Sequence, residues 1–320
     1  MSFLILIIGF FFLIKGADIF VEGAASIARK FNVPAMVIGL TIVAMGTSAP
    51  EAAVSITSSL AGQNDMSVAN VVGSNFFNIL MVLGVSAVIA KLPVQKETIK
   101  KEAPFLIIVS AMLLIFGLDL KMNRIEGLVL LSVFVYFLIS TVKNAKNSVK
   151  EDSKYNNEIA VTADTEVSEI EEVSMPKTIL ICIVGIAGIV IGGDMVVNSA
   201  TSIATAFGMS ANLVGLTIVA VGTSLPEFVT SVVAIKKGET EIAIGNVIGS
   251  NLFNILLVLG LAITINPITI STLALIDIIF MVMITILLYL FMKRDYSLVK
   301  KQGFILIAIY ISYMAYTIIR

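Results

Sequence analysis

Histidine is absent from the 320 residues, and cysteine occurs once, at Cys182. The first absence removes the usual imidazole zinc ligand and the proton relay that works near neutral pH. The second excludes a disulfide framework and a thiolate metal cluster. Charge is scarce too: 13% of residues are charged and the net charge is -1, against 58% hydrophobic residues and a mean hydropathy of +1.02. No water-soluble domain carries that balance without aggregating, and no nucleic-acid partner is indicated. The chain reads as an all-α integral membrane protein whose first partner is the lipid bilayer. Any ion chemistry it performs must rest on oxygen ligands.

What is present is apolar sequence in long runs. Stretches able to cross a bilayer, which takes about 20 helical residues, fall near 2–28, 34–60, 66–90, 103–119 and 125–142, then near 177–206, 210–235, 242–265, 271–292 and 302–319. Ten transmembrane helices are therefore expected, in a first half of residues 1–143 and a second half of residues 177–320. Between them, residues 144–176 form the long polar segment, with eight acids. Those acids lack the alternating Asp/Asn register and central Gly of an EF-hand loop. A solvated linker is expected there, since charged stretches of low hydrophobicity seldom fold.

A shift of 176 residues aligns Gly16–Gly84 with Gly192–Gly260 without a gap, and 34 of the 69 positions are identical. Shared apolar composition does not produce this, because the matches include Asp18/Asp194, Pro50/Pro226, Glu51/Glu227 and Asn70/Asn246. The chain is an internal duplication. Met1–Leu13 resembles the apolar core of a signal peptide but lacks leading positive charges and a small-residue cleavage site. It reads as part of the first repeat and is expected to stay.

With the N-terminus outside, the loops after spans one, three, five, seven and nine hold 17 of the 21 basic residues. Lys121, Arg124 and Arg320 fall on the opposite side. The positive-inside rule then puts both termini outside the cell membrane and the linker in the cytoplasm. Five spans per repeat force the second copy to cross in the opposite sense. Two inverted-topology five-helix repeats are the expected architecture, one common among secondary transporters, whose substrate sites lie near the midplane between the repeats.

The first repeat carries Gly39-Leu-Thr-Ile-Val-Ala-Met-Gly-Thr-Ser-Ala-Pro-Glu51, and the second Gly215-Leu-Thr-Ile-Val-Ala-Val-Gly-Thr-Ser-Leu-Pro-Glu227. Each is a helix built to break. Pro50 and Pro226 have no amide proton, and Gly46 and Gly222 lower the cost of unwinding. Backbone carbonyls at about Ala44–Thr47 and Ala220–Thr223 are expected to be released from helical pairing, which a bilayer tolerates only where they line a cavity or meet an ion.

Thr47, Ser48 and Glu51 stand at i, i+1 and i+4, so a hydroxyl and the carboxylate share a face if helix resumes around the break. Thr223, Ser224 and Glu227 repeat the pattern. The next span adds Ser74 and Asn78 one turn apart, and its counterpart adds Ser250 and Asn254. Two antiparallel copies bring these oxygens to one volume, where a flexible, oxygen-only set suits Ca²⁺ and Na⁺ better than Mg²⁺. An ionised carboxylate at bilayer depth is costly and needs a purpose. Two glutamates neutralise one Ca²⁺ or hold Na⁺ instead, so a shared site can exchange one for the other. For Asn75, Asn251, Asn70 and Asn246, ligation and a packing or capping role are equally open. Asp18 and Asp194 suggest structure or ion access.

The paired Gly-Thr-Ser-x-Pro-Glu and Gly-Ser-Asn-x-Phe-Asn-Ile-Leu segments resemble the two alpha repeats of the cation/calcium exchanger superfamily, the sodium/calcium exchangers in particular. The resemblance covers both halves. It implies broken second and seventh helices that form an ion site against the third and eighth. It makes Glu51, Glu227, Thr47, Thr223, Ser48, Ser224, Ser74, Ser250, Asn78 and Asn254 ion ligands, with carbonyl help from Ala44 and Ala220, and the first and sixth spans a sliding or gating pair. Some relatives carry Asp at the place of Asn254. With Asn there, the site has two carboxylates rather than three, which argues against potassium co-transport. A linker of about thirty residues also leaves no room for the large calcium-sensing domains of animal exchangers.

The expected function is therefore antiport of Ca²⁺ against Na⁺ by alternating access, with no cofactor beyond the transported ions. Ca²⁺/H⁺ exchange is the alternative, because protons can replace sodium at the same carboxylates. An intramembrane hydrolase is remote: a serine nucleophile wants a histidine or lysine base beside it, and these spans supply neither in their cores.

Overall fold

Helix dominates because a backbone in lipid must satisfy its own polar groups within each segment. The computed structural model describes residues 2–31, 33–62, 64–159, 175–208 and 220–319. In the first half it contains α1 (Ser2–Lys30), α2 (Ala35–Thr47), α3 (Ala49–Leu60), α4 (Met66–Ile89), α5 (Ala103–Gly117) and α6 (Arg124–Ile159). The second half contains α7 (Met175–Ala206), a helical turn at Ala220–Gly222, α8 (Leu225–Lys236), α9 (Thr240–Ile265), α10 (Thr272–Asp295) and α11 (Lys300–Ile319).

Six helices, α1, α4, α6, α7, α9 and α10, are long and apolar enough to cross a bilayer, and α2 with α3 makes a seventh span bent by 49°. α5 and α11 stand where further spans are expected, and α8 stands at the end of the expected span 210–235. Residues 209–219, which include the start of that span, lie outside the described residues. The polar segment begins as helix, because α6 continues through Ile159. Residues 160–174 also lie outside the described set.

The bend between α2 and α3 falls at Ser48, whose backbone sits at φ -83°, ψ 7°. Ser224 has φ -90°, ψ 8° at the matching place before α8. Both are followed by a proline near the start of the new helix, where a missing N–H costs nothing. Pro50 cannot donate to the Gly46 carbonyl, so the break opens there. The release does not extend to Ala44, as the sequence suggests it should: the Ser48 amide donates to the Ala44 carbonyl at 3.0 Å. The reason is local: the N–H that Pro50 lacks would have donated to Gly46, two residues after Ala44.

α4 and α9 form the centre: 72% and 78% of an apolar 18-residue stretch of each is buried, against 33% of the corresponding stretch in α1 and in α7. α1 and α7 pack on each other at the side of this centre. A Cβ on Gly192 would lie 2.4 Å from the Leu13 amide nitrogen, and one on Gly16 2.6 Å from that of Ile189. Glycine is required at both because backbone meets backbone, the kind of close approach by which helices associate in lipid. Gly16 and Gly192 are repeat partners, 176 residues apart.

Two short antiparallel strand pairs tie the halves together outside the helices. Leu92 pairs with Leu298 and Pro93 with Ser297, while Lys121 pairs with Thr269 and Met122 with Ile268. Exchanging every residue for its partner 176 positions away turns one register into the other. The Val94 amide donates to the Tyr296 carbonyl (2.8 Å) and the Ile270 amide to the Leu120 carbonyl (3.0 Å), again as repeat partners. Leu120 and Tyr296 share a positive φ, 63° and 48°. The duplication thus extends in three dimensions well past Gly84, where the gapless alignment stops.

Candidate ion-binding site

The two breaks meet against α4 and α9. Glu51, in the first turn of α3, and Glu227, in the first turn of α8, each have 0% exposure. Each accepts a hydrogen bond from a serine at the other helix's break. Ser48 Oγ donates to Glu227 Oε1 at 2.9 Å, and Ser224 Oγ donates to Glu51 Oε1 at 3.0 Å. Ser74 of α4 donates to the same Glu51 oxygen at 3.4 Å. Thr47 Oγ1 donates to Asn246 Oδ1 at 3.0 Å and lies 3.4 Å from Ser250 Oγ.

Asn70 and Asn246 brace the breaks from behind. Asn70 Nδ2 donates to the Glu51 carbonyl (3.2 Å) and to Ser55 Oγ (2.9 Å). Asn246 Nδ2 donates to the Glu227 carbonyl (3.3 Å) and to Ser231 Oγ (3.0 Å). One turn further along α4 and α9, Asn78 Nδ2 donates to Asn251 Oδ1 (3.2 Å) and Asn254 Nδ2 to Asn75 Oδ1 (3.1 Å).

Four buried oxygens in this group have no hydrogen-bond donor: Glu51 Oε2, Glu227 Oε2, Asn78 Oδ1 and Asn254 Oδ1. They form two repeat pairs. Unpaired buried acceptors are costly, and charged ones more so. None of the ion pairs among the described residues includes either glutamate. No group of three or more His, Cys, Asp or Glu able to hold a metal exists among the described residues either. Two carboxylates, hydroxyls and amide oxygens are what the centre offers, and that chemistry fits a hard cation.

The sequence model of the sodium/calcium exchanger protein family matches residues 1–143 and 177–319. The chain belongs to that family. Sodium/calcium exchanger MaX1 of Methanosarcina acetivorans is 30% identical, with 98% of this chain and 97% of that protein aligned. The inner membrane protein YrbG of Escherichia coli is 35% identical over 84% of this chain and 82% of its own length. A solved structure of the sodium-calcium exchanger NCX_Mj, soaked with 2.5 mM Na⁺ and 0.1 mM Ca²⁺, superposes with a TM-score of 0.84 at 32% identity, covering 98% of this chain and 97% of that one. The exchanger described above is therefore a multi-pass membrane transporter of the cation/calcium exchange type, not an enzyme.

The residues picked out by sequence do not all occupy equivalent places in this exchanger. Glu51, Glu227, Ser48, Ser224, Ser74, Ser250 and Thr47 lie in one bonded cluster. Thr223 is buried with an unpaired hydroxyl. Asn78 and Asn254 stand at the α4–α9 contact with one oxygen free each. Ala44 is buried on α2, its carbonyl taken by Ser48, and Ala220 opens the turn beside the undescribed residues 209–219. Asp18 is away from the cluster: it pairs with Lys237 at 2.9 Å, and Lys237 also meets Glu22 at 3.2 Å. Its repeat partner Asp194 is exposed, and Ala61 stands where Lys237 does in the other copy. Sequence reasoning passed over Ser55 and Ser231, although their identity in the repeat alignment is a usable signal.

Proposed function

We propose that this exchanger moves Ca²⁺ against Na⁺ by alternating access at the cluster around Glu51 and Glu227. The observation that carries the proposal is the set of four donorless oxygens, Glu51 Oε2, Glu227 Oε2, Asn78 Oδ1 and Asn254 Oδ1, contributed in equal number by the two halves. Buried acceptors without donors call for a cation, and two carboxylates balance one Ca²⁺. Thr47, Thr223, Ser48, Ser224, Ser74 and Ser250 complete the ligand set. Ala44 and Ala220 contribute backbone carbonyls; that of Ala44 is shared with the Ser48 amide and the Thr47 hydroxyl, which the cation would have to displace or share.

Ca²⁺ takes six to eight oxygens at about 2.3–2.6 Å, more than the glutamates alone supply, so the hydroxyls and amides are needed. Na⁺ competes for the same oxygens, and mutual exclusion gives antiport. With both carboxylates bare, reorientation is unfavourable, which suppresses leak. Calcium export follows wherever the cell maintains inward sodium. The names of MaX1 and NCX_Mj, both sodium/calcium exchangers, support this coupling.

The architecture we assign has ten spans in two inverted five-helix repeats, residues 1–143 and 177–320, joined by a cytoplasmic linker at 144–176. Both termini then lie outside the cell membrane. The two-fold strand pairing supports this reading, since each pair joins β-structure from opposite halves in related registers. α1 and α7, packed backbone to backbone at the edge of the centre, form the moving pair.

The test is calcium uptake into proteoliposomes driven in turn by a sodium gradient and by a pH gradient. Sodium-driven, saturable, strictly counter-transported flux is expected. Uptake that follows the pH gradient and ignores sodium replaces the proposal with Ca²⁺/H⁺ exchange at the same carboxylates.

A further inference from the structure

An amide side chain has an oxygen at one end and an NH₂ group at the other, so whatever holds one end aims the other. In α4 and α9 the holding groups are visible. Asn254 Nδ2 donates to Asn75 Oδ1 at 3.1 Å, and Asn78 Nδ2 donates to Asn251 Oδ1 at 3.2 Å. All four asparagines have 0–1% exposure, and each bond crosses from one half to the other. The oxygens of Asn78 and Asn254 then have no donor. Were either amide reversed, its NH₂ would take the place of that donorless oxygen, where it would repel a cation, and its oxygen would confront the oxygen of Asn75 or Asn251.

We propose that Asn75 and Asn251 are positioning residues, each fixing the amide of the opposite half's ligand asparagine so that its oxygen, not its nitrogen, faces the transported cation. Neither touches the ion. This inference rests on the assignment of Asn78 and Asn254 as ligands.

The two holders are not equally anchored. Asn75 Nδ2 reaches the Asn251 carbonyl (3.4 Å) and Met281 Sδ (3.6 Å), which fixes its own orientation. Asn251 Nδ2 has no partner. Position 105, which matches Met281 in the repeat, is Phe105 and offers no sulfur acceptor. Asn75 is therefore the firmer of the two, and its effect is exerted on Asn254.

An aspartate supplies the test, because both ends of a carboxylate are oxygen and no orientation has to be enforced. Ca²⁺ binding to the detergent-purified full chain is measured by calorimetry for Asn254→Ala, Asn75→Ala, Asn254→Asp and the Asn75→Ala/Asn254→Asp double variant, with monodispersity checked for each. Equilibrium binding keeps the result independent of the coupling ion. Asn75→Ala is expected to weaken Ca²⁺ binding by about ten- to hundredfold, as loss of a group that orients a metal ligand does. In the Asn254→Asp background the same substitution is expected to change affinity less than about threefold, a double-mutant coupling that general loosening of the core would not give. An equal loss in both backgrounds, or no loss in the first, overturns the positioning role while leaving the ligand assignment standing. If Asn254→Ala binds Ca²⁺ as the unaltered protein does, the ligand assignment itself falls and the positioning role with it.

Discussion

Ser48 donates a 2.9 Å hydrogen bond to Glu227, a residue 179 positions away in the other half of the chain. Its counterpart, Ser224 to Glu51 at 3.0 Å, crosses in the opposite direction. Each carboxylate is thus held by the partner repeat's helix break, and neither half can build its side of the centre alone. Hydrogen bonds to a buried charge contribute about 1.5–3 kcal/mol each. Ser48→Ala and Ser224→Ala should therefore each raise the calcium concentration for half-maximal transport by about tenfold or more, and by similar factors. A large loss in one with none in the other would contradict the equivalence of the two halves.

Glu51→Gln and Glu227→Gln remove one of the two negative charges while keeping size and shape. Each should abolish calcium transport in proteoliposomes, with the protein still inserted and monodisperse. Wild-type transport by either variant would refute the shared site.

Gly192→Ala and Gly16→Ala place a methyl group against backbone at 2.4 and 2.6 Å. Backbone cannot swing aside as a side-chain tip does, so α1 and α7 must separate. Overpacking of this kind costs about 1–3 kcal/mol. A lowered thermal midpoint in detergent is expected for both, and larger loss of transport than Gly73→Ala, where a Cβ meets nothing within 4 Å.

The strand pairs give a prediction about motion. Met122 and Ile268 are directly paired, and facing residues in an antiparallel pair have Cα atoms about 4.5–5.5 Å apart, within disulfide range. In a Cys182→Ala background, Met122→Cys with Ile268→Cys should cross-link on oxidation and leave exchange intact if α1 and α7, as proposed, are the pair that moves. Loss of flux reversed by reductant would show that the halves part here during transport.

The ion pairs that Lys237 makes with Asp18 and Glu22 are partly exposed. Such pairs contribute up to about 1 kcal/mol and fade with salt. Lys237→Ala should shift the thermal midpoint only slightly, and less in high salt. A large, salt-insensitive loss would give Asp18 a deeper role.

Much of this was legible before any fold was known. Histidine-free, cysteine-poor and strongly apolar composition restricts the chemistry to oxygen ligands in a membrane. The repeat isolates Glu51 and Glu227 from every other acid, because they alone recur beside a Gly-Thr-Ser-x-Pro break. Two details of the centre were not legible. Proline chemistry on its own suggests freed carbonyls from Ala44 onward, yet the Ser48 amide still pairs with Ala44. Asn75, Asn78, Asn251 and Asn254 look alike as letters, and only contact between the halves separates holders from held.

The sequence by itself determined the membrane, the duplication and the pair of glutamates, since these follow from composition and from identity at a fixed spacing. The tertiary structure decided which partner each group has. Ser48 meets Glu227 rather than Glu51, Asn75 faces Asn254, and Leu92 pairs with Leu298. These are contacts between residues about 170–210 apart, and a local pattern carries no information about them. They arise because two copies too apolar to stand alone bury their breaks against each other, and that packing chooses the partners.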